Sequence, residues 1–134
     1  MAFTKISHIA IAVSDIAAAG MSFEKLTGGK VELEEDIPEQ KVRVLMLPIG
    51  GSRIELVGPL DSSSTVAKFI SKRGEGIHHI CFEVSDINSE LKRLKDEGFQ
   101  LIDETPRRGA DGNLIAFIHP RTTGGVLVEL SQKK

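Results

Sequence analysis

Two rhythms of apolar residues alternate along this chain. Ile9, Ile11 and Val13 alternate with His8, Ala10 and Ala12, the period of two expected for a strand covered on one face only. The period then lengthens. Ile16, Ala19, Phe23 and Leu26 form the stripe of an amphipathic helix, with Ser14-Asp15 to cap its start and Gly28-Gly29 to stop it. Further strands are expected near residues 30–34, 41–47 and 52–57, with Pro48 ending the second of these. A second run of the same kind follows: a strand ahead of Asp86, a helix with Ile87, Leu91 and Leu94 on one stripe and Gly98 as its stop, then strands near 100–103, 113–119 and 126–131, with Pro120 ending the middle one. Between the runs, Asp61-Ser62-Ser63-Ser64 reads as a linker, and Thr65 to Arg73 as a short helix with Val66, Phe69 and Ile70 on one side.

The two runs are copies. Ile6 to Ile16 (ISHIAIAVSDI) lies over Ile77 to Ile87 (IHHICFEVSDI) at an offset of 71, with seven of eleven positions identical. The register continues: KVRVLMLP at 41–48 parallels NLIAFIHP at 113–120, and Gly50-Gly51 before Ile54-Glu55-Leu56 parallels Gly124-Gly125 before Val128-Glu129-Leu130. Two copies are too few for a solenoid. The expected fold is therefore α+β: two βαβββ modules, residues 5–60 and 76–132, joined by a connecting segment at 61–75, their strands forming one curved mixed sheet within a single domain of residues 1–134.

Composition narrows the chemistry. Seventeen Lys and Arg against 19 Asp and Glu give a net charge of −2, and with no Trp or Tyr and six Phe there is little to attract or stack on nucleic acid. No apolar run approaches a membrane span, and the first residues lack the pattern of a secretory signal, so a cytoplasmic protein with no membrane partner is expected. One cysteine allows no internal disulfide and no thiolate zinc site. Any metal must be held by His and carboxylates.

Such a set is present. On the first strand of each copy a His stands beside a small residue, His8 with Ala10 and His79 with Cys81. On the last strand, Glu55 interrupts Ile54 and Leu56, and Glu129 interrupts Val128 and Leu130. A single strand His is ordinarily structural, and a single Glu in such a strand ordinarily faces solvent. Their recurrence at equivalent positions points instead to one divalent metal shared by His8, Glu55, His79 and Glu129. Two imidazoles and two carboxylates suit Co, Mn, Ni, Zn or Fe(II). His78 falls on the opposite face from His79 and reads as structural or supporting, His119 is a weaker neighbour of the site, and Cys81 reads as a small buried hydrophobe.

These residues resemble the vicinal oxygen chelate, or glyoxalase and bleomycin-resistance, superfamily, and the resemblance covers nearly the whole chain. PEQKV at 38–42, AKF at 67–69, KRGEGIHH at 72–79, HP at 119–120 and TGGVLVEL at 123–130 look like the methylmalonyl-CoA epimerase family within it. That resemblance implies a metal-dependent isomerase (Co, Mn, Ni or Zn) acting on an acyl-CoA. It would interconvert (2R)- and (2S)-methylmalonyl-CoA by removing the C2 proton and returning one through a metal-stabilised enolate, with no redox cofactor. It further implies Glu39 and Glu129 as the proton carriers. Without the family, Glu39 is one acid in the run from Glu32 to Glu39, the usual pattern of a solvated loop. There is no standard glycine-rich phosphate cradle, so the coenzyme's phosphates would fall to surface cations, with Lys68, Lys72, Arg73, Arg107 and Arg108 as candidates. A homodimer is expected for a domain of this type. Two rival readings share the scaffold: a glyoxalase I-type isomerase acting on a thiol hemiacetal, and a metal-free module that sequesters a small molecule. An Fe(II) dioxygenase fits less well, because a second Glu would take a position that its triad leaves open.

Overall fold

The computed structural model describes residues 3–109 and 112–134. The elements run β1 (Phe3–Ala12), α1 (Ile16–Thr27), β2 (Leu33–Ile37), β3 (Val42–Ile49), β4 (Ser52–Pro59), α2 (Thr65–Arg73), β5 (Gly76–Val84), α3 (Ile87–Asp96), β6 (Arg107–Arg108), β7 (Leu114–Ile118) and β8 (Val128–Gln132). Strand–helix–three strands occurs twice, with α2 between. The strands hydrogen-bond in the order β2-β3-β4-β1-β5-β8-β7-β6 as one mixed sheet. The first and last strands of each module run parallel, and the hairpin partners antiparallel. The α+β class and the duplicated βαβββ order are those that the repeat implies.

The chain forms two compact units, His8–His78 and a second made of the residues up to Ser7 with His79–Lys134. In the first unit both faces of β1 are covered. Ala10 and Ala12 pack with Val42, Val44, Val57 and Val66 against Phe69 and Ile70 of α2, while Val13, Leu45 and Leu56 pack with Ile11, Ile16, Ala19 and Phe23 on the α1 side. A strand covered on one face only is thus corrected: α2 supplies the second cover, and small alanines leave it room. Gly20 brings α1 close to β3, because a Cβ there would lie 2.9 Å from Leu45 Cδ1. Leu26, assigned to the stripe, is 76% exposed. It lies in the last turn of α1, past Phe23, the last residue of that helix packed on the cluster.

The second unit is built on Val84, Ile87, Leu91, Leu94, Ala116, Ile118 and Leu130, with Phe3, Phe82 and Phe99 packed around them. The first residues of β1 belong here: Thr4 Oγ1 donates to the Glu83 carbonyl at 3.1 Å, and the Phe3 and Phe82 rings lie 5.3 Å apart. The caps of α1 and α3 follow the sequence, and Ser64, read as linker, caps α2. Asp15, Ser64 and Asp86 accept from Ala18, Ala67 and Ser89, and α1 stops at Gly28 in the left-handed region.

Several strand limits differ from expectation. β2 occupies Leu33–Ile37 rather than 30–34, because the Pro38–Lys41 turn sets its register on β3 and its mostly exposed, charged residues carry no alternation that could locate it. Pro48 lies inside β3, whose ladder continues to the Ile49–Ser52 pair at the Gly50-Gly51 turn. Pro120 does stop its strand, by opening a 3-10 turn. The strand expected at 100–103 is reduced to one bridge, Leu101 to Ile118, and the edge is taken by the short β6. The last strand begins at Val128 rather than 126. Among the described residues no helix is long and apolar enough to cross a membrane.

Leu130 is fully buried against α3, so Leu130→Ala is expected to lower unfolding free energy by about 2–5 kcal/mol in urea titrations. Asp86 is held below the ordinary carboxylate range by the Ser89 N–H and hydroxyl. Its depressed pKa makes its contribution complete above the unfolded-state value and lost as pH falls through the folded one. The stability difference between wild type and Asp86→Ala is therefore expected to be largest near neutrality and to close in strong acid, as thermal melts across pH would record.

Candidate metal centre

Strand register creates two equivalent half-sites. In the first unit β1 and β4 pair with Ala10 opposite Glu55, and in the second β5 and β8 pair with Cys81 opposite Glu129. Side chains two residues apart share a face of a strand. His8 and Ala10 therefore share the face beside Glu55, and His79 and Cys81 the face beside Glu129. Ala10 and Cys81 are fully buried and small enough to let each His reach its Glu.

In the first half-site His8 Nδ1 lies 3.3 Å from Glu55 Oε2. Arg53, opposite His8 in the parallel register, donates from Nε to Glu55 Oε2 at 2.8 Å, with a second guanidinium nitrogen 2.8 Å from that oxygen and 3.2 Å from His8 Nδ1. Glu55 is only 8% exposed. In the second half-site His79 Nε2 lies 3.1 Å from Glu129 Oε1, Glu129 is likewise 8% exposed, and Phe117 presents its edge to the His79 ring at 5.7 Å. Burying a carboxylate costs several kcal/mol unless a cation or hydrogen-bond donors compensate it. Each half-site meets that demand through an imidazole, and the first through a guanidinium as well.

Each half-site offers an imidazole nitrogen and a carboxylate oxygen. These are nitrogen and oxygen donors of borderline to hard character, and such a set fits a divalent transition metal. Glu55 is engaged by Arg53. Arg53 is the site residue that the sequence reading passed over. Its signal was present: two positions before Glu55 on a strand, it must share that residue's face.

Other expected residues take other places. Glu39 stands exposed on the turn between β2 and β3, where Gln40 and Lys41 donate to the Ile37 and Pro38 carbonyls. His78 packs edge-on against Phe69 at 4.9 Å. His119 caps the 3-10 turn, its Nδ1 accepting from the Arg121 N–H at 2.9 Å, which is a structural role. Cys81 is buried as expected. Lys68, Lys72, Arg73, Arg107 and Arg108 are exposed: Arg73 lies over the Phe69 ring, Arg107 over Phe117 and near Asp103, and Arg108 donates to the Gly112 carbonyl.

Residues 7–117 match the family model described as Glyoxalase/Bleomycin resistance protein/Dioxygenase superfamily. The chain is 38% identical over 130 residues to an ethylmalonyl-CoA/methylmalonyl-CoA epimerase of Cereibacter sphaeroides, covering 96% of this chain and 97% of that one. Its structure is similar to methylmalonyl-CoA epimerase from Mycobacterium tuberculosis, with TM-score 0.90 and 38% identity over 99% of this chain and 90% of that one. It is also similar to a variant of the Streptomyces coelicolor methylmalonyl-CoA epimerase in complex with 2-nitronate-propionyl-CoA, with TM-score 0.89 and 36% identity over 98% and 95% of the two chains.

The donor set predicts that chelator-stripped protein takes up one divalent ion per chain in calorimetric titration with Co²⁺. Because even groups that only support a ligand change affinity by about 10- to 100-fold, Glu129→Gln is expected to weaken uptake at least about tenfold. Equal affinity in the variant would remove Glu129 from the ligand set.

Proposed function

Because the chain belongs to the glyoxalase, bleomycin-resistance and dioxygenase superfamily, we propose that it is a divalent-metal-dependent epimerase that interconverts (2R)- and (2S)-methylmalonyl-CoA. The observation that carries this reading is similarity along nearly the full length to epimerases of that substrate, one of them holding a nitronate analogue. A nitronate carbon is planar and part of a delocalised anion. It has the form that C2 of methylmalonyl-CoA takes once its proton has left. The reading makes the protein an isomerase acting on an acyl-CoA in the cytoplasm, as a homodimer.

His8, Glu55, His79 and Glu129 would hold the metal. When bound, the cation supplies Lewis acidity toward the thioester and carboxylate oxygens, worth several kcal/mol to negative charge spreading from C2. The remaining work belongs to side chains. Inversion at C2 needs a proton carrier on each face, and the reading assigns these to Glu39 and Glu129. Such groups typically contribute about 10²- to 10⁴-fold. Glu39 is exposed on the turn between β2 and β3, open to approach from solvent. Support for Glu129 comes from its burial beside His79, an imidazole able to share a proton with it.

In deuterated water the metal-loaded protein is expected to incorporate deuterium at C2 of methylmalonyl-CoA while the two epimers equilibrate, followed by NMR and chiral assay. Glu39→Gln should lower kcat by roughly 10²- to 10⁴-fold, with melting temperature and metal uptake retained. No exchange by metal-replete wild type overturns the assignment, and rapid turnover of a methylglyoxal–thiol hemiacetal in its place would move the protein to the glyoxalase I type.

A further inference from the structure

Arg53 stands where the metal-centre reading needs a cation. Its guanidinium does not spread over both oxygens of Glu55. Two of its nitrogens converge on the single atom Oε2, each at 2.8 Å, and one of them also reaches His8 Nδ1 at 3.2 Å. Oε2 and Nδ1 themselves lie 3.3 Å apart. The positive group is therefore seated on both the imidazole and the carboxylate of the first half-site. Nothing in the sequence repeats it: at the offset of 74 that relates Glu55 to Glu129, position 53 corresponds to Leu127. The cation was acquired, or kept, in one copy only.

From this we infer that Arg53 is a built-in stand-in cation. It neutralises buried Glu55 and holds it against His8, and it competes with a divalent ion for Oε2. The inference rests on the metal-centre reading above. Two physical facts carry it. A divalent ion and a guanidinium drawn to the same carboxylate repel one another as like charges, and an ion bonded to Oε2 at about 2.0–2.2 Å would weaken the hydrogen bonds that converge on that atom. Arg53 also has somewhere to go, since its side chain is 35% exposed against 11% for Glu55, so release into water exchanges its bonds at small cost whereas Glu55 cannot follow. Arg53 thereby sets how tightly the centre holds its ion, as a positioning residue rather than a catalytic one.

The test compares full-length wild type, Arg53→Gln and Arg53→Lys after chelator treatment, by calorimetric titration with Co²⁺ and by thermal melting without metal. Arg53→Gln is expected to melt lower without metal and yet bind Co²⁺ about tenfold or more tightly, because a like charge and a competitor for Oε2 have both gone. A merely structural role would lower the melting temperature without raising affinity. Lysine keeps the charge but cannot engage two atoms from a planar fork, so Arg53→Lys is expected between the other two. Should Arg53→Gln not fold, Arg53→Lys decides: weaker binding than wild type overturns the inference, as does unchanged or weaker binding by Arg53→Gln. Absence of uptake by wild type and variants alike overturns the metal reading and this inference with it, whereas equal uptake by all three overturns only the role of Arg53.

Discussion

The parallel pairing of the first and last strand in each module is the constraint on which the site depends. It sets Glu55 opposite Ala10 and Glu129 opposite Cys81, and so brings a carboxylate against an imidazole two residues back along the neighbouring strand. A one-residue slip would turn each Glu to the opposite face, into the apolar packing there. The register is fixed from both sides, by alanine and valine packing under α2 and by the Leu56 and Val13 cluster under α1. The same layers that stabilise the sheet therefore aim the charged groups.

Burial makes that aim consequential. A carboxylate left 8% exposed is costly unless it is compensated, so each Glu has to keep a partner with donors. The second half-site meets this with His79, under the edge of Phe117, and the first with His8 and Arg53. The copies thus share a backbone plan but differ in what surrounds the donors: Met46 opposite Glu55 becomes Phe117 opposite Glu129, and Arg53 becomes Leu127. Divergence has been spent on the polar and aromatic neighbours while the His, small-residue and Glu positions stayed in step. An asymmetric setting of this kind suits the proposed reaction, whose two proton transfers occur on unlike faces of one carbon.

Edges of the sheet carry the other divergence. β2 is an exposed acidic strand tied to β3 by the Asp36–Arg43 pair, and its counterpart β6 has only two residues. Charged or very short edges resist pairing with another chain. Glu39 belongs to the turn that ends β2, so the proposed proton carrier sits in the part of the module least bound by core packing, where the loop can change without disturbing the register that holds the donors.

The duplicated pattern, read as sequence, determined the α+β class, the two βαβββ runs, the three helices with the capping residues of the first and third, and the pairing of one His with one Glu in each copy. All of these rest on local signals: period, capping residues and equivalent positions. It could not place β2, whose mostly exposed and charged residues have no period, nor show that Leu26 is left exposed at the end of its helix or that Pro48 stays inside its strand. It also passed over Arg53, because an isolated Arg in a strand looks like any solvated cation until register sets it opposite His8. Which alanine faces which glutamate, which face α2 covers and which cation reaches Oε2 were decided by tertiary structure alone, since those facts depend on neighbours distant in sequence that no local pattern encodes.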